Sequence, residues 1–308
     1  MEDEQKSKYE AMPTARGRDV LPALAAIYPQ LNLCPGEESA ETYKRIVQYG
    51  EAAPVHDLCH FRGNERDSCA IEKTPAGEVQ VITLHQRPDF ERFLQIMAFR
   101  CREKEIPATQ GASILDGVIN WTKIRSRRAA FLASGGSEED WPAEFRRFTA
   151  DKRNYTDALI VLSDGPYSAV SAERMGMEER EWLAYSHEIR KAHECTHFIC
   201  RRLFPEKIDP VWDEIVADAV GLFAAFGRYE AETAALFLGV SREGYTGGRL
   251  ENYVSKEGGE IQLNLDLAAK KVYNVLYRLQ DVIASCGVAE PYPLAIRLEE
   301  EIECWKTP

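Results

Sequence analysis

The chain has 308 residues, 44% hydrophobic and 29% charged, a balance that supports a sizeable core without disulfide staples. Its formal net charge of -12 argues against a general phosphate-backbone binder, because such proteins present basic faces that displace counterions, and no nucleic-acid partner is expected. A charged N-terminal stretch without an apolar segment, the absence of any run long and apolar enough for a membrane span, and eight scattered cysteines together predict a cytoplasmic protein with reduced, mostly buried thiols.

In chain order, residues 20–28 and 41–50 read as short helices among turn formers. His56, Cys59 and His60 lie too far from other suitable ligands to make a zinc site and read as a polar loop. The β-branched residues at 79–84 predict a strand. Pro88 then opens a helix whose apolar side carries Phe90, Phe93, Leu94, Met97 and Cys101. A further helix is predicted over 112–131, with Lys123, Arg125, Arg127 and Arg128 on a solvated face. The Gly/Ser-rich stretch at 134–140 is the most linker-like segment, so residues 1–150 are read as an N-terminal α+β region and 151–308 as a metal-binding catalytic region.

The run at 158–162 reads as a buried strand stopped by Ser163, Asp164, Gly165 and Pro166, with Asp164 serving turn chemistry. A long helix is predicted over 177–204 and ended by Pro205. Asp209 and Pro210 then restart a helix over 210–226, since aspartate can cap the free amides and proline suits the first helical position. The two form an αα-hairpin. Residues 241–248 read as a glycine-containing loop and 267–285 as a helix.

His193 and His197 are four residues apart, so on a helix both imidazoles leave one face and can meet a single cation. Glu194 lies beside that position and can take a proton from water polarised there. Glu214 follows His197 after 16 residues, enough to end one helix, turn and climb back to the level of the histidines as a third ligand. Asp218, one turn further on, can accept from a ligand histidine and fix its tautomer. Gathering these carboxylates and imidazoles without a cation would be electrostatically expensive. Cys195 and Cys200 read as core thiols, and His187 with Glu188 sits at the wrong offset for joint coordination.

The pattern His193-Glu194-x-x-His197 with Glu214-x-x-x-Asp218 resembles the gluzincin branch of the zincin metallopeptidases, the thermolysin-like group, over residues 193–218. That resemblance implies an α+β, predominantly helical zincin-like domain with a small sheet beside the HExxH helix, a catalytic Zn2+ and a peptide or protein substrate. It also implies that the strand at 159–162 pairs with extended substrate. The chain departs from the family in having no histidine after His197, so another donor must steady the oxyanion. Tyr167, Tyr245, Arg249 and Tyr253 are the candidates, because a phenol or guanidinium can stabilise developing negative charge. The function expected is a zinc-dependent hydrolase, a metallopeptidase with Glu194 as general base. The alternative is a zincin-like binding or regulatory module without turnover, and the sequence leaves the oligomeric state open.

Overall fold

In the computed structural model, which describes residues 13–36, 40–51, 60–207, 209–254 and 261–301, the chain falls into two units. One comprises Met1–Glu72 and Val79–Ser163, the other Lys73–Glu78 and Asp164–Pro308. The division follows Ser163, and the linker-like stretch at 134–140 joins two helices inside the first unit.

The first unit runs β1 (Ala15–Arg16), α1 (Val20–Ile27), α2 (Ala40–Tyr43) continuing into a π-helical turn at Lys44–Gln48, β2 (Ser68–Thr74), β3 (Gly77–Leu84), α3 (Arg87–Met97), β4 (Ala112–Ile119), α4 (Trp121–Ala133), α5 (Trp141–Thr149) and β5 (Thr156–Ser163). Its five-stranded mixed sheet has the order β1-β2-β3-β5-β4. The core gathers Val20 and Leu24 of α1 and Tyr28 just past its end with Phe90, Phe93 and Leu94 of α3 against Ile82, Leu84, Leu159 and Val161 of the sheet.

Every β5 residue from Asp157 to Ser163 is buried, which is why the sequence there is a continuous apolar run and not an alternation. Leu159 to Leu162 pair in parallel with β3 and antiparallel with β4. Both edges of β5 are therefore occupied, and the expectation that this strand receives extended substrate is overturned: no backbone donors or acceptors remain for an added strand.

The helix predicted over 112–131 is corrected as well. Its first eight residues form β4, where Ile114, Val118 and Ile119 favour a pleated surface. Helix α4 begins only after Asn120, whose side chain accepts from Lys123 N at 3.1 Å. Nor are its four basic residues merely solvated. Lys123 Nζ reaches the buried Asp157 at 2.6 Å, Arg125 Nη1 donates to Val47 O at 2.6 Å, Arg127 Nε donates to Glu144 at 2.8 Å and Arg128 pairs with Glu138 at 2.6 Å. His60 Nε2 lies 3.0 Å from Leu31 O, while His56 and Cys59 fall outside the described residues.

The second unit is helical: α6 (Ala172–Met175), α7 (Glu179–Leu203), α8 (Pro210–Phe226), α9 (Ala231–Leu238), α10 (Ile261–Ser285) and α11 (Pro291–Glu301). Phe204 leaves helical geometry at φ -131°, as a residue before proline must. Asp209 then caps α8 by accepting from Val211 N at 3.1 Å and Trp212 N at 3.0 Å. The two long helices lie antiparallel, with Ile189 beside Gly221, His193 beside Asp218 and His197 beside Asp213. Helix α11 packs on both. Cys195 and Cys200 are buried as the sequence predicts, and Cys200 Sγ lies 3.7 Å from Glu299 Oε1. Among the described residues no helix is long and apolar enough to cross a membrane.

The close approach of α7 and α8 depends on one residue. A Cβ at Gly221 would stand 2.9 Å from Ile189 O and 3.0 Å from Ile189 Cγ2, and backbone of a packed helix cannot yield cheaply. Gly221→Ala is expected to cost about 1–3 kcal/mol in urea-induced unfolding, despite alanine's better helix propensity. A variant as stable as the parent would show that this contact does not set the helix spacing.

Candidate metal centre

The ligand face of α7 is the stripe Ser186, Arg190, His193 and His197, each buried and three or four residues from the next. It meets Glu214 on α8, where the antiparallel register places that carboxylate between the two rings. His193 Nε2 and His197 Nε2 are 3.0 Å apart, and Glu214 oxygens lie 3.5 Å from the first and 3.3 Å from the second. Among the described residues these are the three that converge as a potential metal-ligand group. A tetrahedral zinc bonded at about 2.0–2.1 Å to each donor would hold them about 3.3 Å apart, and the two Nε2 atoms and the Glu214 carboxylate lie close to that spacing, with one atom of each residue within 4.8 Å of the others.

Each histidine has a carboxylate behind it. Asp218 Oδ1 lies 3.0 Å from His193 Nδ1, the role read from the sequence. Asp213 Oδ2 lies 2.8 Å from His197 Nδ1, in close ion-pair contact but off the line of a straight N–H bond. Asp213 is the site residue the sequence reading missed. Its signal was available: in an antiparallel pair that sets Asp218 beside His193, the residue beside His197 falls at 213 or 214, and both are acidic. With both Nδ1 atoms turned to carboxylates, both Nε2 atoms face the centre.

The proposed oxyanion donors are placed differently from the expectation. Tyr167 is buried, and its hydroxyl donates to Asp218 Oδ1 at 2.6 Å and lies 2.8 Å from His193 Nδ1, behind the ligand ring and not in front of it. Arg249 Nη2 donates to Asp218 Oδ1 at 2.5 Å and also to its Oδ2, while Nη1 reaches Glu214 Oε2 at 3.4 Å. The Tyr245 hydroxyl accepts from Gly248 N at 2.9 Å and donates to Gly248 O at 2.8 Å, fixing the peptide before Arg249. Tyr253 is half-buried and within electrostatic reach of Glu214 and Arg249. Tyr167 and Arg249 thus both contact Asp218, and Arg249 also reaches Glu214. Glu194 is half-buried next to His193 and within electrostatic reach of Arg190.

The loop carrying Arg249 is held by a backbone crossing. A Cβ on Gly239 would run into the Gly247 carbonyl, and one on Gly248 would stand 2.5 Å from Gly239 N. Only two glycines let these strands of chain touch.

The charges are strongly coupled. Burial alone would raise the Glu214 pKa, but the two histidines and Arg249 hold it well below the carboxylate range. Asp218, likewise penalised by burial, is kept low by Arg249 and by its bond with His193. Burial works against a charged His197, yet Asp213 and Glu214 outweigh it and push its pKa up to about 10.

Comparison with known proteins places the chain in a family of unknown function, DUF7005, which matches residues 4–281; the chain belongs to that family. No curated protein and no solved structure matches it.

Zinc binding would require a neutral His197, so loading would expel the proton that its raised pKa retains. An ordinary histidine, with a pKa of 6.5, would already be neutral at pH 8, whereas one at about 10 is still protonated. Calorimetric zinc titrations at about pH 8 in buffers of different ionisation enthalpy are expected to report more than one proton released per ion, because a bound water with its pKa lowered to about 7 would add its proton to that of His197. Release of one or fewer would contradict the shift. The sign for the metal-free fold is fixed by the same linkage: the stability contributed by this raised pKa is full below 6.5 and is lost as the pH rises through about 10.

Proposed function

We propose that this protein is a zinc-dependent hydrolase, and a metallopeptidase by its resemblance to the HExxH and ExxxD enzymes. The observation that carries the reading is the convergence of His193, His197 and Glu214, with the two Nε2 atoms 3.0 Å apart, Glu214 Oε2 3.5 Å from the first and Oε1 3.3 Å from the second, and a carboxylate behind each histidine. Three protein donors leave one position of a four-coordinate ion for solvent or substrate, the pattern of catalytic rather than structural zinc. Zinc bound there supplies the polarisation that lowers the pKa of water to about 7.

The chain's own residues do the rest. Glu194 accepts the proton from water and returns it to the leaving group, as a general base and then acid. Asp218 and Asp213 hold the imidazoles with Nε2 inward. Arg249 balances the charge of Asp218 and Glu214. Tyr253, half-buried and within electrostatic reach of Glu214, is the remaining sequence candidate for a phenol facing substrate.

A second reading is a zincin-like binding or regulatory module. Two observations favour it: β5 has no free edge for a peptide, and the hydroxyl of Tyr167 and the Nη2 of Arg249 are turned toward Asp218.

Metal analysis and a mixed peptide library separate the two. Glu194→Gln is expected to keep stoichiometric zinc and to lose cleavage by at least about 100-fold, the usual scale of general-base catalysis. His193→Ala is expected to lose both metal and cleavage. Wild type that carries zinc yet cleaves nothing supports the binding module, and folded wild type that takes up no zinc removes the metal reading altogether.

A further inference from the structure

Tyr167 reaches the centre from the segment between β5 and α6, outside both ligand helices. Two residues of the α7 ligand stripe hold it there: its N–H donates to Ser186 Oγ at 2.9 Å, and the preceding Pro166 carbonyl accepts from Arg190 Nη2 at 2.9 Å. Its ring stands edge-on to Phe237 at 5.0 Å and lies 4.9 Å beneath the Arg249 guanidinium. Immediately after it, Ser168 and Ala169 adopt left-handed backbone at φ 52° and 56°, a conformation that residues with a Cβ rarely keep. Strain in successive residues persists where the surrounding contacts over-determine it, and here those contacts all fix one hydroxyl.

That hydroxyl has two neighbours, Asp218 Oδ1 at 2.6 Å and His193 Nδ1 at 2.8 Å, which are themselves 3.0 Å apart. The three atoms form a closed triangle behind the ligand ring. Asp218 Oδ1 then receives from Tyr167, from His193 and from Arg249. A carboxylate with one donor can swing about it, whereas one gripped by three cannot.

We propose that Tyr167 is a positioning residue of the metal site, locking Asp218 and through it the orientation of His193, and that it is not an oxyanion donor. The inference rests on His193 being a metal ligand. It differs from the sequence expectation in sending the effect of Tyr167 through the protein side of the centre: its loss should be felt in metal binding before any substrate is present.

The test is Tyr167→Phe, which keeps the ring contacts with Phe237 and Arg249 and removes only the hydroxyl. Zinc affinity, measured by competition with a chelator, is expected to fall about 10–100-fold, the scale for removing a partner that orients a ligand. The visible bands of the cobalt(II)-loaded variant are expected to shift, while circular dichroism of the metal-free protein remains that of wild type. On an Asp218→Ala background the same substitution is expected to change zinc affinity no further, the signature of action through Asp218. Ser186→Ala, which releases the backbone anchor alone, is expected to weaken zinc binding in the same direction by less. Unchanged affinity and an unchanged cobalt spectrum in Tyr167→Phe would overturn the assignment while leaving the metal reading intact. Failure of wild type to bind zinc or cobalt would instead overturn the metal reading, and this inference with it.

Discussion

Asp218 is fully buried, and an ionised carboxylate removed from water must be met by charge and hydrogen bonds or be protonated. Three separate parts of the second unit meet it: His193 from α7, Tyr167 from the segment before α6, and Arg249 from the loop after α9. The carboxylate therefore fixes more than one imidazole. It determines where two connecting segments must end, and those segments in turn require a strained pair at Ser168 and Ala169 and a glycine crossing at Gly239 and Gly248. Packing of α7 on α8 through Gly221 brings the acid to the right level, and electrostatics gathers the remaining pieces around it.

How much of this could be read in advance follows from the range of each interaction. The helical hairpin was legible because its signals are local: Pro205 ends α7, Asp209 and Pro210 start α8, and helical spacing puts His193 and His197 on one face. Antiparallel register then brings Glu214 and Asp218 to the histidines. Asp213 follows from the same register, which sets it beside His197 as Asp218 is set beside His193. Tyr167 and Arg249 were recognised as chemistry-bearing side chains, but their direction depends on where the loop backbones turn. No periodicity encodes that a Pro166 carbonyl will be held by Arg190 or that Gly239 will touch Gly248.

The first unit shows the same division. The apolar run of β5 announced a buried strand, but a single sequence does not say which strands flank it, and its two neighbours decide whether it can take a guest. The apolar positions of residues 112–119 are compatible with either period, and only their β-branched content separates the strand from the helix that follows Asn120. The basic residues of α4 looked like a solvent face by composition alone. Their partners, Asp157, Val47, Glu144 and Glu138, are 10 to 78 positions away in sequence.

The crossing of Gly239 and Gly248 also bears on how this protein can vary. It closes a small ring of chain at its base, while Arg242 and Glu243 at the far side are exposed. Lengthening a loop whose ends are already joined adds entropy cost only as the logarithm of its length. The tip is thus insulated from Arg249, which enters the centre one residue past the closure. Descendants of this sequence can accept extra residues at 242 and 243, and an experimenter can graft an epitope or a fluorophore there, with the guanidinium still delivered to Asp218.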